Sequence, residues 1–469
     1  MKLPDYGFSI QSTRNGKYLQ FSRDKQCYGY LRFTSSEVVS PYTRFRSDST
    51  SSVNGPVDIR CCYNNRYWSR TSTDPDFIGA TMDSCVEVTY DPHCTAFRVV
   101  VVDEEAMTIQ LEHPDPDGGQ ALCLYMSDAP SFQHGLRAGN DKVPETFKLI
   151  DWFPFMMIMP KQVAFRGTNG CYIASYNAGH GFSFLRFSSH DLEDKYVWNE
   201  IVVQGDGSIA IRNVDFDLFW ILDSSSTLVV PQGSSNLGPE SLFRPTSFTF
   251  TCGVLQNLSN NRFCRILGTV DFTDTLKAAA DSQDADEAEL EVVDLATSRH
   301  FFDVEFRFED AKIDHRGSYV QVERDLVNDG SEPIVKEMTF SFPEFKYVKW
   351  TSTVWLEHSK VKKITIDSGI PAIIAGDLEV SGKFSGEYEW GDEMKLPDQV
   401  EVVYKVTVPP MTTVIGKISA EEAEFQIPFS YSHTDTLVVN RTVTYTNVED
   451  GMYHGYSYFN LQFSSILKE

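Results

Sequence analysis

The sequence predicts an all-β protein, and three observations carry that prediction. Of its 469 residues, 41% are hydrophobic, 23% charged and 13% aromatic, a soluble composition rich in side chains that suit a pleated surface. Short apolar runs alternate with clusters of Asn, Gly, Ser and Thr, the punctuation of turns between strands. A small turn-and-strand unit also recurs along the first 265 residues. A chain this long exceeds one ordinary core. It divides into two compact domains, 1–152 and 153–280, an acidic connector, 281–295, and a β module, 296–469.

The repeat is a polar or glycine pair and a variable residue followed by two apolar ones. Its copies end at Tyr18-Leu19, Tyr67-Trp68, Leu122-Cys123, Tyr172-Ile173, Phe219-Trp220 and Phe263-Cys264, spaced by 49, 55, 50, 47 and 44 residues. Ile59-Arg60 before Trp68 returns as Ile211-Arg212 before Trp220, an offset of 152 that groups the six units as two threes. A unit of this length opened by a tight turn is a four-stranded module, and three of them close a β-trefoil. A six-bladed propeller is the competing arrangement, but it gives no reason for grouping by threes and lacks the Gly-His…Trp-Asp signature.

After Leu276 the character changes. Residues 277–294, KAAADSQDADEAELEVVD, read as a helical or flexible acidic connector. From Phe301 onward cysteine vanishes, helical periodicity is absent and the strand-like runs lengthen, which predicts long antiparallel strands. Residues 378–390 alternate strictly: Leu378, Val380, Gly382, Phe384, Gly386, Tyr388 and Trp390 on one face, Glu379, Ser381, Lys383, Ser385, Glu387 and Glu389 on the other.

Charge and motifs exclude several function classes. The net charge is −25, and residues 281–469 hold 17 Lys and Arg against 35 Asp and Glu. That surface repels nucleic acid and anionic lipid. No run of about 18 apolar residues suggests a membrane helix, and the N-terminus lacks a signal-type apolar core. The expected location is therefore cytoplasmic or nucleocytoplasmic, with the nine cysteines reduced and the sequons at Asn257 and Asn440 silent. Residues 376–384, GDLEVSGKF, have the wrong spacing for a P-loop and Phe384 where a magnesium-binding hydroxyl belongs. Cys85, His93 and Cys94 lack a second ligand pair for zinc. The expectation is a protein that is not an enzyme, with no cofactor and no metal.

Residues 58–70, DIRCCYNNRYWSR, and 255–267, LQNLSNNRFCRIL, resemble the amaranthin-type agglutinins of plants, tandem β-trefoil lectins, over about 1–290. The resemblance implies a shallow site for galactose- or N-acetylgalactosamine-type glycans, formed where trefoils of two subunits meet. It implies sugar contacts at Asn65, Tyr67 and Trp68, with a contribution around Trp220. A flat aromatic stacks on the apolar face of a sugar while an amide bonds its hydroxyls. Because the apolar pair recurs in all six units, a core role for Trp68 competes with that reading.

Residues 368–391, SGIPAIIAGDLEVSGKFSGEYEWG, and 404–414, YKVTVPPMTTV, resemble aerolysin-like β-pore-forming modules of the plant natterin-like branch, over about 295–469. The resemblance implies an elongated antiparallel module from which a hairpin unfolds, one per subunit of a homo-oligomer, to close a membrane barrel. Its arms map to about 352–367 and 377–391. Ile370, Pro371, Ala372, Ile373 and Ile374 form the tip, running to Ala375. Leu378, Val380, Phe384, Tyr388 and Trp390 face lipid; Glu379, Lys383, Glu387 and Glu389 line an acidic, cation-preferring lumen. In the first arm Lys360 and Lys362 share a face, and a lysine at the bilayer midplane costs about 2–4 kcal/mol. That arm needs a register break near 360–362 or lysines placed at an interface. The expected function is a defence or stress lectin that forms pores at about 352–391. The alternative is a sugar-binding stress lectin whose C-terminal module only mediates self-association. Expected partners are glycans, membranes on activation and further copies of the chain, but not nucleic acid.

Overall fold

A computed structural model describes the chain apart from residues 1, 2, 5, 6, 49–54, 75, 141, 142, 153–158, 178–182, 234–236, 250, 251, 269–272, 286, 319–321, 344, 353–362, 375, 397, 398, 439 and 469. Its regular elements are β-strands and a few short 3-10 turns, with no α-helix among the described residues. Among the described residues no helix is long and apolar enough to cross a membrane. The chain forms two compact units. Among the described residues, one comprises Met1–Arg299 and Thr434–Thr444, the other His300–Ser352, Lys363–His433 and Tyr445–Glu469.

The first unit holds two 12-stranded sheets, each closed by its own first and last strands. Phe8–Ser12 pairs antiparallel with Phe147–Asp151, and Gln162–Gly167 pairs antiparallel with Leu290–Asp294. Twelve strands made of three four-stranded units, closed in this way, form a β-trefoil, and the chain contains two. Near the pseudo-threefold axis of the first, each unit supplies one ring. Tyr30, Phe77 and Phe132 meet with centroids 6.0, 5.0 and 4.9 Å apart. Inside, alternate strand positions bury one core per trefoil. Phe8, Phe33, Trp68, Phe97 and Phe147 lie in the first, Phe165, Phe187, Trp220 and Phe243 in the second.

The second trefoil runs further than expected. Leu290–Asp294, placed by the sequence in the connector, is its closing strand, with Leu290 and Val292 in its core. Acidic residues hide that strand because only alternate positions face inward. The described residues of 281–289 form bends and turns, with no helix among them. Beyond the strand, Arg299 is buried and donates from Nε to Asp435 Oδ1 at 2.8 Å and from Nη2 to Asp435 Oδ2 at 3.0 Å and Asp294 Oδ2 at 3.2 Å. Leu437, Val438 and Val443 cover Ala164, Ala174, Val197 and Trp198 beside this ion cluster.

The second unit is an eight-stranded sheet and a two-stranded ribbon, Ile334–Pro343 paired with Gln399–Val408. Two strands of 26 residues, Thr412–Leu437 and Thr442–Leu467, form the spine of the sheet. Phe345–Ser352 pairs with the second of these. Lys312–Ser318 and Val322–Asn328 pair along the first. Ala296–Phe306 joins the hairpin Lys363–Ile374 to the spine, through a parallel pairing of His300 with Thr365 and Phe301 with Ile366. Met338 and Phe340 of the ribbon pack on Ile418, and Tyr404 stacks on Phe463 at 4.1 Å.

Candidate functional site

The repeat motif is built into the turns of the trefoils. In four units the first asparagine of the motif, Asn15, Asn64, Asn169 or Asn260, donates its amide across the turn to a main-chain carbonyl. The acceptors are Phe33, Ala80, Phe187 and Ala278, at 3.0, 3.0, 3.2 and 2.9 Å. The same side chains accept from the N–H two residues on, Lys17, Arg66, Cys171 and Arg262, at 2.9–3.2 Å. In those same four units the register shifts opposite the aromatic residue and its buried neighbour, with the extra residue on the partner strand, as Thr81 opposite Tyr67/Trp68. The clamp and the bulge go together: the asparagine satisfies backbone groups that the extra residue would otherwise leave unpaired.

The second motif residue is left-handed. Gly16, Asn65, Gly170, Asp217 and Asn261 have φ between +54° and +79°, which Gly, Asn and Asp tolerate best. Asn65 is therefore a turn residue, and its Oδ1 accepts from Arg60 Nη1. Tyr67 donates its hydroxyl to Asp48 Oδ2 at 2.7 Å, and Arg60 bonds the same carboxylate at 3.1 Å. Burial, then the Asp48 contact, hold the Tyr67 phenol well above its ordinary range. Trp68 and Trp220 are both 0% exposed, and this corrects the expected sugar contacts at these two positions. Trp68 packs edge-on against Phe45 and Phe97 at 4.9 and 5.8 Å. Trp220 lies 5.1 Å from Phe165 and donates from its indole to Asn199 at 3.1 Å. The structure brings Asn65 and Tyr67 together around Arg60 and Asp48, and places the two tryptophans in separate cores.

The third unit departs from the others. Its strand pairing puts Cys123 and Leu124, rather than Leu122 and Cys123, at the motif positions, with Leu124 in the core. Eight residues, 114–121, join its first two strands, against four or five in every other unit. The longer turn forms one wall of a cleft of about 540 Å3 beside the paired strands Ala96–Asp103 and Thr108–His113. Thr89, Arg98, Glu112 and Asp115 supply its polar lining; Pro56, Ala96, Pro114 and Ala121 supply apolar surface. Arg98 faces Glu112 at 3.5 Å. Asp115 accepts from the Asp117 N–H at 3.1 Å, and its carboxylate lies so close to Gly119 that any Cβ there would clash. Buried His113 ties the two walls together, its ring nitrogens 2.8 Å from the Pro114 and Cys94 carbonyls. Sequence reasoning missed this cleft; its one visible signal was a third copy without asparagine or aromatic.

In the second unit the alternation of residues 378–390 is real. Glu379, Lys383, Glu387 and Glu389 are exposed. Tyr388 is buried and Leu378, Phe384 and Trp390 are half-buried, while Val380 remains 50% exposed. Trp350 stacks on Phe384 at 5.5 Å and donates its indole to Ser368 at 3.3 Å; Trp390 stacks on Phe301 at 4.8 Å. The expected tip is corrected. Ile370, Pro371, Ala372 and Ile373 are buried within the strand Lys363–Ile374, while Ile374 is exposed and the chain turns at Gly376, between the paired Ile374 and Asp377. Gly376, at φ +100°, permits that turn, and Pro371 sits at a register shift where its missing N–H is tolerated. The arms are correspondingly Lys363–Ile374 and Asp377–Glu389. Lys360, Lys362 and the rest of 353–362 lie outside the described residues.

The sequence model of the Agglutinin domain matches residues 2–150. No curated protein matches the chain. Among solved structures, lamprey immune protein aligns at 11% identity over 77% of this chain and 87% of its own, with a TM-score of 0.30. A mosquitocidal holotoxin aligns at 8% identity over 66% and 36%, TM-score 0.29. A lectin of Polyporus squamosus, bound to a human-type influenza-binding epitope, aligns at 10% over 32% and 51%, TM-score 0.25. The family match coincides with the first closed sheet from its opening strand to its last, so the likeness to the Agglutinin domain covers the first trefoil.

Proposed function

We propose that the chain is a carbohydrate-binding protein that acts by recognition rather than catalysis, with galactose- or N-acetylgalactosamine-type glycans as ligands of its trefoil half. The observation that carries this reading is the Agglutinin match over the whole of the first trefoil. The second unit is the effector half. Its hairpin Lys363–Ile374/Asp377–Glu389 pairs 12- and 13-residue strands, the second alternating polar and apolar faces along its length. Barrel strands need about 9–11 residues to span a bilayer. Sugar contacts supply the surface affinity that the acidic second half lacks, and multivalency on a glycan-coated membrane concentrates subunits for oligomerisation. In this reading the protein is cytoplasmic and associates with membranes on activation.

A specific observation favours the alternative, self-association without pores. Tyr388 and Trp390 already have partners in the soluble fold, Tyr388 accepting from the Trp350 N–H at 3.1 Å. Dye release from vesicles bearing galactosyl lipids separates the two. Leakage that depends on both the glycolipid and the hairpin supports pore formation; stable oligomers without leakage support self-association alone. Glycan arrays on which the full chain binds no sugar would remove the lectin reading.

A further inference from the structure

We propose, resting on that reading of the first trefoil, that its saccharide site is the cleft at the third unit's turn and that it takes an uncharged sugar residue. In the units that keep the asparagine clamp, the side chain bonded across the turn holds a loop of four or five residues tightly on the sheet. The third unit lacks the clamp, and its longer connection, 114–121, forms one wall of the cleft. Its volume, about 540 Å3, falls in the range of roughly 300–1,000 Å3 typical of small-molecule sites.

The lining selects the ligand class. The lining carries two carboxylates, Glu112 and Asp115, against one guanidinium, Arg98, so an anionic group is disfavoured. Among the described residues no group of three or more His, Cys, Asp or Glu is placed to hold a metal ion, and the guanidinium opposes a cation further. A neutral polyol suits all three charges at once. Its hydroxyls donate to Glu112 and Asp115 and accept from Arg98, each a charge-assisted hydrogen bond. Pro56, Pro114 and Ala121 offer apolar surface to the C–H face of the ring. Gly119 leaves room for Asp115 where a larger residue would displace it.

The full chain is titrated calorimetrically with D-galactose and N-acetylgalactosamine, alongside variants checked for an unchanged melting temperature. Glu112→Gln and Asp115→Asn each remove one charged acceptor and are expected to weaken binding about tenfold. Tyr67→Phe and Asn65→Gly are expected to bind within about twofold of the parent chain, since neither touches the cleft. Binding kept by the cleft variants but lost in the Tyr67 and Asn65 variants overturns this placement and leaves the lectin reading standing. Absence of binding by the parent chain overturns both. Where a cleft variant fails to fold, carbodiimide footprinting of the parent chain decides. Sugar-dependent protection of Glu112 and Asp115 supports the site, and labelling unchanged by sugar overturns it.

Discussion

At the scale of single residues, the motif that first suggests sugar contacts performs two mechanical tasks. Asn64 is buried, bonded to Ala80 O and to the Arg66 N–H. Asn64→Ala leaves that carbonyl without its partner, so a loss of about 1–3 kcal/mol is expected in denaturant unfolding. Neighbouring Asn65 sits at φ +57°, where glycine is at ease, so Asn65→Gly should shift stability by less than about 1 kcal/mol. Trp68→Ala empties the centre of the first core and should cost about 3–5 kcal/mol. If Trp68→Ala melted like the parent chain and lost only glycan binding, the core assignment would be wrong. The aromatic pair was legible in the sequence as a repeat, but its direction was not. A strand places neighbouring residues on opposite faces, and the motif alone does not say which of the two turns inward.

At the scale of elements, the hairpin's alternation was legible because period two survives in any half-buried strand. Its turn was not, because the apolar run 370–374 looks like a lipid-seeking tip until Gly376 is seen to take the left-handed position. Ile373 therefore makes a poor probe, since an aspartate there would disturb the soluble packing as well as any membrane contact. Val380 separates the two effects. It belongs to the apolar face yet is 50% exposed in the soluble fold. Val380→Asp is expected to leave the melting temperature within about 1 °C, as for other exposed substitutions. It should abolish dye release if that face enters lipid. Leakage undiminished by Val380→Asp would exclude this face from the membrane. The closing strand Leu290–Asp294 was hidden for a related reason: a strand half-covered by acidic residues carries the composition of a linker.

At the scale of the whole molecule, charge and burial set the response to pH, and two groups of the second unit oppose each other. Asp450 accepts from Ser352 at 2.7 Å and Tyr431 at 2.9 Å, yet burial raises it from an ordinary 3.8 to about 6. A carboxyl raised in this way contributes stability that is full below its unfolded value and is lost as pH rises to about 6. Burial, aided by Lys349, lowers His454 from 6.5 to about 4, against the opposing pull of Glu424. Its contribution is present above its unfolded value and is lost as pH falls through that window. Between about pH 4 and 6 the two slopes have opposite signs, each about 1.4 kcal/mol per pH unit at full effect, and nearly cancel. Calorimetric melting of the full chain at several pH values should therefore show a second-unit transition that these two groups move little in the parent protein. In Asp450→Asn, whose amide can still bond both hydroxyls, the midpoint should climb as pH rises from 4 to 6. In His454→Gln it should fall over the same interval. Profiles that remain parallel to the parent in both variants would show that neither group changes protonation on unfolding in this range.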